Sequence, residues 1–307
     1  ADLTRYPDGG AFELRNALAR HHGVGPDCVT VGNGSNDILD MIARVFLAPG
    51  KESLFSQYAF AVYPLSSMAV GAELAIAPAV DYGHDLAAMQ AMFSDRTGVV
   101  WIANPNNPTG TRVDSASLRA FIEVVPAHVI VVVDEAYFEY VRADDHPDAS
   151  RWLGDFPNLV VTRTFSKAYG LAALRVGYAI SDPAIADAMN RVRQPFNVNS
   201  LALAAAVAAL GDVNYLAESR AVNREGMLQL ESGFRDLGLS WIPSRGNFIA
   251  VDLGCEAAPV FQALLREGVI VRPVANYGMP RHLRVTIGLK NENQRFLDAL
   301  AKVLAGV

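Results

Sequence analysis

The 307-residue chain has only two cysteines, Cys28 and Cys255, far apart and without the spacing of a zinc site or a redox pair. A disulfide framework is therefore excluded, and reduced thiols in the cytoplasm are expected. Long apolar runs are also missing: the longest, 201–210, is roughly half of what a membrane-crossing helix requires. No charged segment leading into an apolar core opens the chain, so no secretory signal is expected. Cation clusters are absent too. With 26 Lys and Arg against 32 Asp and Glu, the net charge is −6 and no basic stripe forms, which argues against nucleic acid or an acidic membrane as partner. Repeats, low-complexity tracts and coiled-coil heptads are lacking as well.

What the chain does have is 51% hydrophobic residues, enough to bury a large core and more in keeping with two domains than one. Residues 1–10 read as an extended arm, a large domain is expected over 11–205, and a smaller one over 206–307. The opening resembles the middle of an arm whose start has been lost. Strand-like runs at 28–31, 98–103, 129–133 and 159–164 alternate with helical ones at 37–46 and 115–124, the pattern of parallel βαβ units. The runs Val99-Val100-Trp101-Ile102 and Val129-Ile130-Val131-Val132-Val133 are apolar throughout, as in strands covered on both faces. An α/β fold with a doubly wound, mostly parallel sheet follows. Beyond Pro195 come helices at 200–210 and 215–237, strands at 247–251, 269–272 and 283–287, and helices at 257–267 and 291–304. These suggest a smaller α+β domain, with Gly211 and Asp212 marking the transition.

Four groups fall at the carboxyl ends of the large domain's strands, where open α/β sheets bind ligands. Gly32-Asn33-Gly34-Ser35-Asn36 lies between a strand and a helix, so free backbone N–H groups beside small residues suit a phosphate, although a plain helix cap would look similar. Asn104-Pro105-Asn106-Asn107-Pro108-Thr109-Gly110 is a rigid turn that can hold the Asn107 amide in fixed geometry. In Asp134-Glu135-Ala136-Tyr137 a carboxylate ends a buried strand, which is costly without a cation or strong donor, so Asp134 calls for a positive partner. Tyr137 adds a phenol nearby. Finally, Thr164, Ser166 and Arg175 are good phosphate donors, and Lys167, desolvated and beside another cation, would have the lowered pKa of a nucleophilic amine. A lysine opening a loop is ordinarily just a solvated charge, and it is the neighbouring groups that reverse this reading.

A phosphate cradle, an acid for a pyridinium nitrogen, a phenol and an amide for a ring oxygen, and a carbonyl-trapping lysine match pyridoxal 5′-phosphate part by part. With Arg5-Tyr6-Pro7, Ser56-Gln57-Tyr58-Ala59-Phe60, Arg175-Val176-Gly177-Tyr178 and Leu283-Arg284-Val285-Thr286-Ile287-Gly288 added, the chain resembles the fold type I PLP-dependent aminotransferases along nearly its whole length. Within that group it is similar to the histidinol-phosphate aminotransferases.

The resemblance implies that Lys167 condenses with the cofactor and later moves the substrate proton, and that Asp134 keeps the pyridine nitrogen protonated. Asn107 and Tyr137 would hold the ring oxygen, and Tyr58 would stack on the ring. Gly34, Ser35, Asn36, Thr164, Ser166 and Arg175 would bind the cofactor's phosphate end, with Tyr6 reaching across from the other subunit of a homodimer. Arg284 and Arg272 are implied as anchors for the substrate's anionic group; no metal is. Two departures stand out: Ala173 where the family often has glycine, and no Asn-Glu-Asn-Pro-like segment ahead of the arm. The implied reaction is transamination between L-histidinol phosphate and 2-oxoglutarate in histidine biosynthesis. An aromatic amino acid aminotransferase is the close alternative. A threonine-phosphate decarboxylase-like lyase is more distant, and so is a PLP-fold regulator domain, for which no basic helix-turn-helix module is present.

Overall fold

The computed structural model describes residues 4–141 and 146–306; residues 1–3 of the expected arm lie outside them. The strands are β1 (Val29–Gly32), β2 (Glu52–Ser56), β3 (Glu73–Ala77), a small hairpin of β4 (Ala79–Val80) and β5 (Gly83–His84), β6 (Thr97–Ala103), β7 (Ile130–Asp134), β8 (Leu159–Thr164), β9 (Gly177–Ser181), β10 (Ser240–Ile242), β11 (Phe248–Asp252), β12 (Arg272–Pro273) and β13 (His282–Thr286). The helices are α1 (Phe12–His22), α2 (Ser35–Phe46), α3 (Val62–Ala69), α4 (Leu86–Ala91), α5 (Ser115–Val124), α6 (Pro183–Val192), α7 (Ser200–Gly211), α8 (Val213–Asp236), α9 (Ala257–Arg266) and α10 (Lys290–Leu304).

Seven strands form the main sheet in the order β1-β9-β8-β7-β6-β2-β3. The pairs from β3 through β8 are parallel, whereas β9 runs antiparallel to both β8 and β1. The unbroken apolar strands divide their side chains between two cores. Val99 and Trp101 of β6 join Val132 of β7 on one face of the sheet, while Val100, Ile102, Val131 and Val133 pack on the other. Burial on both faces removes the need for alternation.

A second sheet, β10-β11-β13-β12, is covered by α8, α9 and α10 around its own core of Phe234, Ile249, Val260 and Leu300. The expected boundary after residue 205 lies inside α7, whose Ala202 and Ala206 pack against Leu14 and Leu18 of α1. The chain turns at Asp212, part of the expected transition, whose side chain accepts the Tyr215 N–H at 2.9 Å and caps α8. The strand expected at 269–272 shrinks to Arg272–Pro273, because Val269 still belongs to the end of α9: its N–H bonds Leu264 O at 2.9 Å, after Gly268 at φ 73°.

One buried charge cluster lies behind the sheet. The Arg163 guanidinium, 4% exposed, pairs with Glu135 and with Asp148, each at 2.7 Å, and lies 3.7 Å over the Phe138 ring. Removing one member of such a cluster leaves the others desolvated and unpaired. Arg163→Met is accordingly expected to cost about 3–5 kcal/mol of unfolding free energy, measured by urea denaturation; a loss under about 1 kcal/mol would show that the carboxylates find water instead.

Candidate active site

The carboxyl ends of β6, β7 and β8 and the start of α2 surround a cavity of about 270 Å³, closed from the other side by residues of the small sheet. Lys167 stands in its wall just past β8, and its Nζ lies 5.3 Å from the centre of the Tyr137 ring. Burial pushes the Lys167 pKa down, and the positive charges of Arg284 and Arg175 push it further, against the opposing pull of Asp134. Among the described residues no acceptor fixes its Nζ by a hydrogen bond.

At one end of the cavity Ser35 and Asn36 open α2, opposite Thr164, Ser166 and Arg175. Close approach is built in by two glycines. Gly34 has φ 81°, and a Cβ there would stand 2.4 Å from Arg175 Nη2; at Gly177 it would stand 2.5 Å from the Ser35 nitrogen. Arg175 itself adopts the left-handed region at φ 58°, unusual for a side-chain-bearing residue, and its Nη1 donates to Ala172 O at 2.9 Å and to Ser166 Oγ at 3.3 Å. Hydroxyls, helix N–H groups and a guanidinium thus converge where an anion would sit.

At the other end lies Asp134, 4% exposed. The register Ala103↔Asp134↔Thr162 places it between β6 and β8. Among the described residues no protein cation forms an ion pair with it. Its oxygens accept instead from two neutral hydroxyls, Tyr63 Oη at 2.8 Å and Thr162 Oγ1 at 3.1 Å. Burial pushes its pKa up, the hydroxyls pull it back, and Lys167 pulls in the same direction as they do. Glu135, the next residue along the strand, points to the opposite face and into the Arg163 cluster.

Asn107 sits between these ends in the expected turn, where both the Asn104-Pro105 and Asn107-Pro108 bonds are cis. The turn is held by Asn104, which exchanges hydrogen bonds with the Val113 backbone at 3.0 and 2.9 Å, and by Asn106, which donates to Tyr58 O at 3.0 Å. Asn107 Oδ1 accepts from Arg284 Nη1 at 2.5 Å. Arg272 faces Arg284 across the β12–β13 pair, and both line the cavity mouth. Tyr137 packs edge-on against Phe248 at 5.2 Å, beneath the Arg284 guanidinium.

Tyr58 is not brought to the cavity wall. It turns away to pack against Tyr82 at 5.3 Å, in a cluster with Ile242 and Val274, and Phe60 lines the cavity in its place. Tyr6 is 82% exposed and stacks on Phe196 at 4.8 Å. Tyr63, Thr162 and Tyr277 carry no signal in the sequence motifs. The 3-residue step from Phe60 to Tyr63, which puts both on one side of the start of α3, was the available signal.

The donor set fits pyridoxal phosphate: an anion cradle with two enforced glycines, a carboxylate at the far end held by hydroxyls, an amide and phenol at the side, and an unengaged amine between them. Among the described residues no cluster of three or more His, Cys, Asp or Glu is placed to hold a metal, and no single helix is long and apolar enough to cross a membrane.

Comparison with known proteins agrees with this geometry. The family model "Aminotransferase class I and II" matches residues 1–300. Histidinol-phosphate aminotransferase 2 of Pseudomonas fluorescens Pf-5 is 67% identical over 305 residues, covering 99% of this chain and 82% of the relative. The protein of the same name from Pseudomonas aeruginosa is 64% identical, covering 99% and 83%. The crystal structure of histidinol-phosphate aminotransferase from Sinorhizobium meliloti, in complex with pyridoxal-5′-phosphate, superposes with a TM-score of 0.94 at 31% identity, covering 99% of this chain and 84% of that one. The L-threonine-O-3-phosphate decarboxylase of Porphyromonas gingivalis shares the fold at 24% identity, with a TM-score of 0.86 and coverage of 99% and 91%. The chain belongs to the class I and II aminotransferases and is a pyridoxal-phosphate-dependent transaminase of fold type I.

Proposed function

We propose that the chain transfers the amino group of L-histidinol phosphate to 2-oxoglutarate. The observation that carries this reading is the charge inventory of the cavity: Lys167, Arg175, Arg272 and Arg284 line it against one carboxylate, Asp134. One guanidinium serves the cofactor's phosphate, which leaves two at the mouth for a doubly charged group on the substrate. Names shared by relatives 64–67% identical over nearly the whole chain support the same choice.

When bound, the cofactor supplies an electron sink that makes the substrate's Cα–H acidic. Asp134 holds the proton on the ring nitrogen. Asn107, Tyr137 and Phe60 line the cavity where they would hold the ring. Gly34, Ser35, Thr164, Ser166 and Arg175 fix the phosphate. With the cofactor bound, Lys167 would be the base that takes the substrate's Cα proton and returns it one atom away, and burial together with Arg284 pushes its pKa down toward the neutral amine this needs. Arg284 and Arg272 orient the substrate and then accept the carboxylates of the second substrate. Tyr6, largely exposed, would reach the site of a second copy in a homodimer, and two unpaired cysteines suit the cytoplasm.

The test is the half-reaction with single donors, followed by the absorbance of the cofactor. L-histidinol phosphate should react at a kcat/KM at least on the order of 10²-fold above phenylalanine or tyrosine, whose single carboxylate uses the arginine pair less fully. The reverse order would assign the cavity to aromatic amino acids, and carbon dioxide release without amino transfer would assign it to a lyase.

A further inference from the structure

Among the described residues Asp134 is the sole carboxylate in the cavity wall, and what keeps it usable lies one layer back. A carboxyl group this deeply buried favours its neutral form, which could not hold a proton on a ring nitrogen. Each of its oxygens instead receives a hydroxyl donor, Tyr63 on Oδ2 and Thr162 on Oδ1. Of the two, Thr162 lies on β8 directly opposite Asp134, whereas Tyr63 comes from α3 and is held by packing of its own. Its ring is fully buried and stacks on Trp101 with centroids 5.1 Å apart and planes 11° apart. The Trp101 indole N–H is in turn anchored on Ser53 Oγ at 2.8 Å, which also accepts from Ser67 Oγ at 2.7 Å. Phe60 closes the other side edge-on at 5.8 Å and carries the same packing to the cavity surface. The phenol cannot swing away without breaking this stack, and its burial keeps it protonated, so it is always a donor.

We propose that Tyr63 is a positioning residue that holds Asp134 ionised and in register, and thereby sets how tightly the cavity grips the ring-nitrogen end of the cofactor. This rests on the reading of Asp134 as the partner of the ring nitrogen. The groups facing that carboxylate are Tyr63, Thr162, Lys167 and the Ala136 backbone N–H.

The experiment is equilibrium binding of pyridoxal phosphate to apoprotein, by absorbance titration, for the wild type, Tyr63→Phe, Asp134→Asn and the double variant. Tyr63→Phe keeps the stack on Trp101, and circular dichroism of the apoprotein should show an unchanged fold. Its dissociation constant should rise roughly tenfold, the loss of one hydrogen bond to a charged group. The rise should grow as pH falls from 8 to 6, because a less supported Asp134 takes up a proton more easily. In the Asp134→Asn background the same change should add less than about twofold. Equal losses in both backgrounds, or full affinity in Tyr63→Phe beside a weakened Asp134→Asn, would overturn the role of Tyr63 alone. Full affinity in Asp134→Asn would overturn the reading of Asp134 and this inference with it.

Discussion

Replacing Lys167 with alanine is expected to lower transamination by on the order of 10⁴-fold or more, the scale seen when a covalent nucleophile is removed. The expectation rests on placement rather than on residue type. Lys167 lies between the anion cradle and Asp134, its burial and its cationic neighbours depress its pKa, and among the described residues no other amine lines the cavity. The variant should still bind pyridoxal phosphate through Arg175, Thr164, Ser166 and Asp134. Borohydride should no longer fix the cofactor covalently to the chain, which mass spectrometry of the reduced protein would show. A Lys167→Ala protein that turned over within tenfold of wild type would remove the amine from the mechanism.

Arg284→Met carries the second largest expected effect, and it should appear in two measurements at once. The guanidinium lies over Phe248, donates to Asn107, and has a buried Nε without a partner, so it is held in place with bonding capacity to spare. Losing such an anchor for an anion should cost about 2–5 kcal/mol in kcat/KM, largely as a rise in KM for histidinol phosphate and 2-oxoglutarate alike. The second measurement is the pH profile. Arg284 is, after burial, the largest influence holding the Lys167 pKa down. Without it that pKa rises, less neutral amine is present at a given pH in the substrate complex, and the acid limb of the kcat profile should move to higher pH. An unchanged KM for both substrates would move the anchoring role to Arg272 alone.

The parts of this site that were legible in the sequence are those where an unusual residue interrupts a run that physics makes easy to see. Asp134 and Lys167 follow solid aliphatic strands, and Asn107 sits in a proline-bracketed turn. What stayed illegible is the layer that supports them. Tyr63 looks like an ordinary helix aromatic until Asp134 is folded against it. Tyr58 and Phe60, two residues apart, were distinguishable only by which of them faces the cavity. The strand Glu52–Ser56 escaped the same way, because the buried Ser53 looks polar along the chain and is neutralised only by Trp101 and Ser67 across the fold. The antiparallel β9 escaped as well: it is short, begins at a glycine, and takes its place between β8 and β1 from pairing partners rather than from its own pattern. Local chemistry announced the first layer, and only tertiary contact defined the second.

Asp134 ends β7 and Glu135 follows it directly, yet one faces the cavity and the other the Arg163 cluster behind the sheet. Since successive strand residues alternate faces, a slip of β7 by a single position would exchange them. The longer acid would then crowd the cofactor end, and the shorter one would be set against a guanidinium 4% exposed. The Arg163 cluster thus does more than bind the sheet together: it recognises the frame in which β7 is read, and penalises every alignment of the strand that would leave the chemistry intact in composition but wrong in position.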